Sequence, residues 1–167
     1  AMLAPVVGHR SPEFMPVYKR ITEALKPVFR TTRDVYMATS SATFLMEAAL
    51  TSLVSRDVLH LTNGAFSERW FDIGRSLGRD ADQIAAPWGE IVDPELVRQA
   101  LRRKRYEAVT VAHNETSTGV VNPLAEIARV VREESAALLL VDAVSSLAGA
   151  PVETDAWGLD FVFAGSQ

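Results

Sequence analysis

Ala137-Leu138-Leu139-Leu140-Val141-Asp142 is the stretch that decides the fold. Five apolar residues in succession leave no polar face, so a strand built from them must be covered on both sides. Strands of that kind belong in parallel sheets flanked by helices. Ala108-Val109-Thr110-Val111-Ala112 has nearly the same character and reads the same way. The first run ends on an acid and continues Ala143-Val144-Ser145-Ser146, so its strand delivers a carboxylate to its own end.

Working outward, strand and helix patterns alternate. Ser11-Pro12-Glu13 reads as a helix start, with Ser11 as N-cap, before Phe14, Tyr18, Ile21 and Leu25 recur at helical spacing. Val35–Ala38 is expected as a short strand, and a helix through Leu45, Met46, Ala49, Leu50 and Leu53 follows Thr39-Ser40-Ser41. Val58–Leu61 is the next strand, closed by Asn63-Gly64. The helix carrying Phe66, Trp70, Ile73 and Leu77 stops at Gly78, a natural left-handed cap. Gln83–Ala86 is a weaker strand, Asp93-Pro94-Glu95 opens another helix, Pro123–Val131 is amphipathic, and Phe161–Phe163 is the last strand. The expectation is one α/β domain over residues 1–167, a mostly parallel sheet flanked by helices and incomplete.

Composition narrows the function classes. Of 167 residues, 48% are hydrophobic and 23% charged, as in soluble globular domains. A net charge of −4 gives no reason to expect nucleic acid or an anionic membrane as partner. The run Arg102-Arg103-Lys104-Arg105 reads as a helix end, where cations suit the dipole. With no cysteine, disulfides, thiolate metal sites and a thiol nucleophile are excluded, and His9, His60 and His113 lack ligand-like spacing, so no metal is expected. No apolar run reaches the roughly 18 residues of a membrane span, and a cytoplasmic location is expected.

The polar clusters fall just after strands: Thr39–Thr43, Asn63-Gly64, His113–Thr118, Asp142 with Ser145-Ser146, and Ser166-Gln167. In open parallel sheets ligands bind at the carboxyl ends of the strands, so these clusters are expected in one crevice. Asp142 suits a loop cap, a metal, or a cationic ligand such as a protonated pyridine; the phosphate loop that would accompany the metal reading is missing. Thr39–Thr43 suits either plain capping or an anion at a helix N-terminus. Phe66 suits either core packing or stacking on a flat ring.

Several landmarks together resemble one family. Gly8-His9-Arg10-Ser11-Pro12-Glu13-Phe14, Met46-Glu47-Ala48-Ala49-Leu50, Asn63-Gly64-Ala65-Phe66 with Arg69-Trp70, His113-Asn114-Glu115-Thr116-Ser117-Thr118-Gly119, Asp142–Leu147 and Gly165-Ser166-Gln167 resemble the class V aminotransferases in order and spacing. Within that family the chain looks most like the serine–glyoxylate and alanine–glyoxylate branch. The resemblance implies the large domain of a fold-type I transferase that uses pyridoxal 5′-phosphate (PLP). It implies Ser41, Ala42 and Thr43 as the phosphate cup, Phe66 and Val144 on the two ring faces, Thr116 on the ring hydroxyl, Asp142 on the ring nitrogen, and Gln167 reaching the phosphate. It further implies transamination between an amino acid, serine or alanine, and a 2-oxo acid such as glyoxylate, by a homodimer.

Three departures stand out. Ser41-Ala42-Thr43-Phe44 replaces the family's usual Ser-Gly-Thr-Gly, Ser67 stands where most relatives have glycine, and Lys19, Lys26 and Lys104 are the only lysines, none at the cofactor-holding position. In the family that lysine directly follows Gly-Ser-Gln, so a chain ending at Gln167 is expected to lack the family's activity. Alternatives are another class V activity, such as a desulfurase, and an inactive homologue acting as a binding scaffold.

Overall fold

The computed structural model describes residues 7–166. Helices α1 (Phe14–Phe29) and α2 (Ala42–Leu53) precede β1 (Asp57–Thr62), α3 (Ala65–Ser76), β2 (Asp80–Ala85), α4 (Pro94–Arg103) and β3 (Ala108–Ala112). A small ribbon, β4 (Asn114–Glu115) with β5 (Val120–Val121), leads to α5 (Leu124–Glu134), β6 (Leu138–Asp142) and β7 (Phe161–Phe163).

The five long-range strands form one parallel sheet in the order β2-β1-β3-β6-β7. One row across it runs Ile84, Leu61, Val111, Val141 and Val162. All strands therefore finish at the same edge, and the loops that follow them leave side by side. The chain goes outward from β1 to β2 and returns to β3 on the other side of β1. That reversal opens a crevice between the loops after β1 and β3, where ligands of open α/β sheets bind.

Both sheet faces are covered, as the apolar runs required. Leu139 and Val141 of β6 join the cluster under α4 and α5 with Val97, Leu101, Ile127 and Val131. Leu140, one residue out of phase, joins Met46, Leu50, Trp70 and Phe163 under α2 and α3. Trp70 locks that second layer: its indole N–H donates to the Met46 carbonyl at 3.0 Å, and its ring meets Phe163 edge-on at 5.4 Å. Each such buried side chain contributes roughly 1.5–3 kcal/mol relative to exposure.

Helix ends follow their sequence signals in two cases. The Asp93 carboxylate accepts the Glu95 N–H at 2.8 Å, with Pro94 in the first turn of α4. Gly78 follows α3 with φ of +71°. The basic run behaves as a helix end: Arg102 pairs with Glu134 at 2.8 Å, and Lys104 lies 3.0 Å from both Asp57 and Asp82.

Two local expectations need correction. Ser11 is not the N-cap of α1; it takes the Phe14 N–H on its backbone carbonyl in a turn, and Glu13 occupies the cap position. Val35–Ala38 forms no strand. It runs over the surface with Tyr36 81% exposed, because a strand-like composition needs a sheet edge to pair with and none adjoins it among the described residues. The segment after α1 is tied down instead by Asp155, whose carboxylate accepts the Thr31 hydroxyl and both the N–H and hydroxyl of Thr32. Much of α1's apolar surface faces outward, with Met15, Ile21 and Val28 exposed.

Candidate active site

Asp142 ends β6 next to Ala112 of β3 and Phe163 of β7, and it is 6% exposed. The Val144 N–H donates to Oδ1 at 2.9 Å. Burial pushes its carboxyl up to about 6, against the pull of that N–H, and the charge of Glu115 adds to the rise. A carboxyl so placed gains from a cation, which would hold it ionised.

Thr116 and Ser145 join the neighbouring loops hydroxyl to hydroxyl. Phe66 stands in the first turn of α3 with the Arg69 guanidinium over its ring at 5.3 Å. Phe66, Val144 and Ala42 all pack, partly buried, against the Met46–Trp70–Phe163 cluster. The ends of β1 and β6 and the start of α2 therefore meet over one apolar floor. At that start, Ser41 holds the N-cap position without a side-chain hydrogen bond, and no acid stands in the first turn. The leading N–H groups of α2 thus point outward with the positive end of the helix dipole.

Residues 7–167 match the model of the family described as aminotransferase class-V. The chain belongs to that family. It is 36% identical to a serine–glyoxylate aminotransferase of Methylorubrum extorquens over all of this chain and 43% of that protein. A protein named soluble hydrogenase 42 kDa subunit, from Anabaena cylindrica, is 40% identical over 96% of this chain and 43% of its own length. The crystal structure of an alanine–glyoxylate aminotransferase from Nostoc sp. superposes with a TM-score of 0.93 at 36% identity, covering 99% of this chain and 45% of that one. The chain thus spans less than half the length of these class-V relatives.

Two of the departures from the class-V pattern have visible structural settings. The Ala42 methyl packs against the apolar floor, and Phe44 is 51% exposed. Ser67 is buried, and its hydroxyl lies 2.8 Å from Glu115 Oε2 and 3.0 Å from the Gly64 carbonyl while accepting the Asn63 N–H at 3.1 Å. Gln167 lies outside the described residues.

Sequence reasoning gave Glu115 no role, yet it is wholly buried and joins the loop after β3 to the first turn of α3. Oε2 accepts the Ser67 N–H at 2.9 Å; Oε1 accepts the Ser117 hydroxyl at 2.8 Å and the Phe66 and Ser117 N–H groups at 3.3 Å. Burial alone would raise its carboxyl, but these donors outweigh burial and hold it below the usual range. Asn63 and Asn122 form a second buried pair at 3.0 Å and join the two loops below Glu115. His113, 4% exposed, has no partner for Nδ1, and burial lowers its pKa. The polar loop 113–118 hinted at His113 and Glu115, and the Asn63-Gly64 cluster at Asn63; nothing in the sequence pointed to Asn122. Among the described residues no cluster suits a metal, and no helix is long and apolar enough to cross a membrane.

Proposed function

We propose that the chain is the PLP-binding domain of an aminotransferase. In this reading the complete protein moves an amino group between serine or alanine and a 2-oxo acid such as glyoxylate. The observation that carries the proposal is Asp142: a desolvated carboxyl, pushed up to about 6, awaiting a cation at the strand ends. The activities for which the Methylorubrum and Nostoc relatives are named suggest the amino acids and the acceptor.

The residues suit the cofactor group by group. PLP carries a ring nitrogen that takes a proton, a flat ring and a phosphate. Asp142 holds the proton on that nitrogen, and the resulting cation offsets the carboxyl's desolvation. Phe66 and Val144 cover the two ring faces and keep water from them. The uncapped start of α2, at Ser41, Ala42 and Thr43, takes the phosphate; the family resemblance adds Gln167, which lies outside the described residues, as a further phosphate contact. The Thr116 hydroxyl, steadied by Ser145, receives or donates a hydrogen bond at the ring hydroxyl. Bound there, PLP supplies an electron sink that no amino-acid side chain offers.

The exposed apolar residues of α1, Met15, Ile21 and Val28, favour a second copy of the protein as partner, and the location proposed is the cytoplasm. The same surface, with the hydrogenase-subunit name of the Anabaena relative, supports a second reading as a binding subunit without catalysis. Borohydride reduction of the full-length protein, followed by intact-mass analysis, separates them. A covalent pyridoxyl adduct on a lysine, with amino transfer from serine or alanine to glyoxylate, is the expected result. Protein that retains no PLP and transfers no amino group sinks the enzyme reading and favours the subunit.

A further inference from the structure

We propose that Glu115 is a positioning residue for the cofactor ring: its carboxylate ties the loop bearing Thr116 to the first turn of α3 and so sets where Phe66 stands. The inference rests on the reading of Phe66 and Thr116 as ring contacts.

Helix α3 has no side-chain cap of its own at Gly64. Its leading N–H groups are met instead by an acid 48 residues further along the chain, while α4 is capped locally by Asp93. One of the donors is the backbone N–H of Phe66 itself, at 3.3 Å; the others belong to Ser67 and to Ser117, the neighbour of Thr116. Glu115 is also covalently next to Thr116. A single carboxylate therefore fixes the separation of two side chains, one that would cover a face of the ring and one that would meet the hydroxyl on its edge. The negative end of this bridge is matched to the positive end of the helix dipole.

Charge-assisted bonds of this kind are shorter and roughly twice as strong as neutral ones, and a buried donor that loses its acceptor pays its full desolvation. Ser67 strengthens the bridge. Where most class-V relatives carry glycine, this chain adds a hydroxyl 2.8 Å from Oε2. The Glu115 charge also contributes to the rise at Asp142, so the same residue adds to the pull on a cation at the ring nitrogen.

The test compares full-length wild type with Glu115→Gln, whose amide fills the same volume but turns an NH2 group toward the donors. The readouts are PLP affinity by equilibrium dialysis and the induced circular dichroism of the bound cofactor, which reports ring orientation. Affinity is expected to fall about tenfold, with a weakened dichroic band, as for loss of a hydrogen bond to a charged group. Glu134→Gln on α5, which loses the Arg98 and Arg102 partners, serves as the control for global destabilisation and is expected to leave both readouts unchanged.

The decisive comparison is a cycle with Phe66→Leu. If Glu115 acts through the ring, Glu115→Gln adds only about twofold once Phe66 is gone, because coupled residues are not additive. Folded Glu115→Gln protein with wild-type affinity and dichroism overturns the inference, as do effects that multiply in full. Should Glu115→Gln fail to fold, Ser117→Ala enters the same cycle; it removes the hydroxyl that donates to Glu115 Oε1 and accepts the Ala65 N–H, and a loss of at least about threefold is expected. Wild-type protein that binds no PLP overturns the cofactor reading itself, and this inference with it.

Discussion

Glu115 fills the space that a side chain on Gly64 would need. A Cβ on Gly64 would stand 2.4 Å from Glu115 Cγ, 2.7 Å from its Cδ and 2.6 Å from Ser117 Oγ. Glu115 is held by several hydrogen bonds and is wholly buried, so it has no easy way to yield. Gly64→Ala is expected to destabilise the protein by about 2–4 kcal/mol, combining overpacking with stranded donors. Gly119→Ala, at φ of +75° but with nothing near its Cβ, should cost only about 1–2 kcal/mol of backbone strain. Urea unfolding of the two variants checks the order; equal losses would sink the steric account.

Asn122 shows how little freedom the crevice floor has. Its Oδ1 accepts the Val92 N–H at 2.9 Å and the Asn63 amide at 3.0 Å, while its Nδ2 donates to the Ala112 carbonyl at 2.8 Å. Asn122→Asp keeps the shape and loses the donor, setting a charge against a carbonyl. The loss should be about 2–4 kcal/mol at neutral pH, read by the same unfolding experiment. A variant as stable as wild type would mean that the pair is not the clamp described.

The sheet and the place of the crevice were legible from the apolar runs 108–112 and 137–141, because a strand with no polar face has few ways to be buried. Strand ends then followed, since parallel strands of similar length finish together. Val35–Ala38 misled because its composition is local while pairing is not. Glu115 and Asn122 stayed hidden for the same reason: their partners, Ser67 in α3 and Asn63, lie 48 and 59 residues away in the chain. Ser67 was visible as a departure from the family pattern, but its reason is a contact with Glu115.

His60 depends on a glycine in the helix above it. Its ring is wholly buried, Nδ1 lies 2.7 Å from Thr110 Oγ1, and a Cβ on Gly74 would come within 2.7 Å of Nε2. Gly74→Ala would gain helix propensity, roughly 1 kcal/mol on an open surface. Here overpacking is expected to win, giving a net loss of about 1–3 kcal/mol. Thermal unfolding decides it, and a net gain in stability would show that the ring has room to move.

Asp142 and His60 pull stability in opposite directions across the same acid range. Burial raises Asp142 from 3.8 to about 6. The native state therefore holds a proton that the unfolded chain releases, and stability is lost as pH rises from about 4 to 6. Burial lowers His60 from 6.5 to about 4, so the unfolded chain binds the extra proton and stability is lost as pH falls through that window. Asp142→Asn removes the first effect alone, since its amide oxygen can still accept the Val144 N–H. In the absence of ligand the variant should gain on wild type by about 3 kcal/mol between pH 4 and 6, with no further gain above. Urea unfolding at pH 4, 5, 6 and 7 reads the difference directly. An offset that stays constant with pH would mean that the carboxyl is not desolvated, and would remove the observation on which the cofactor reading stands.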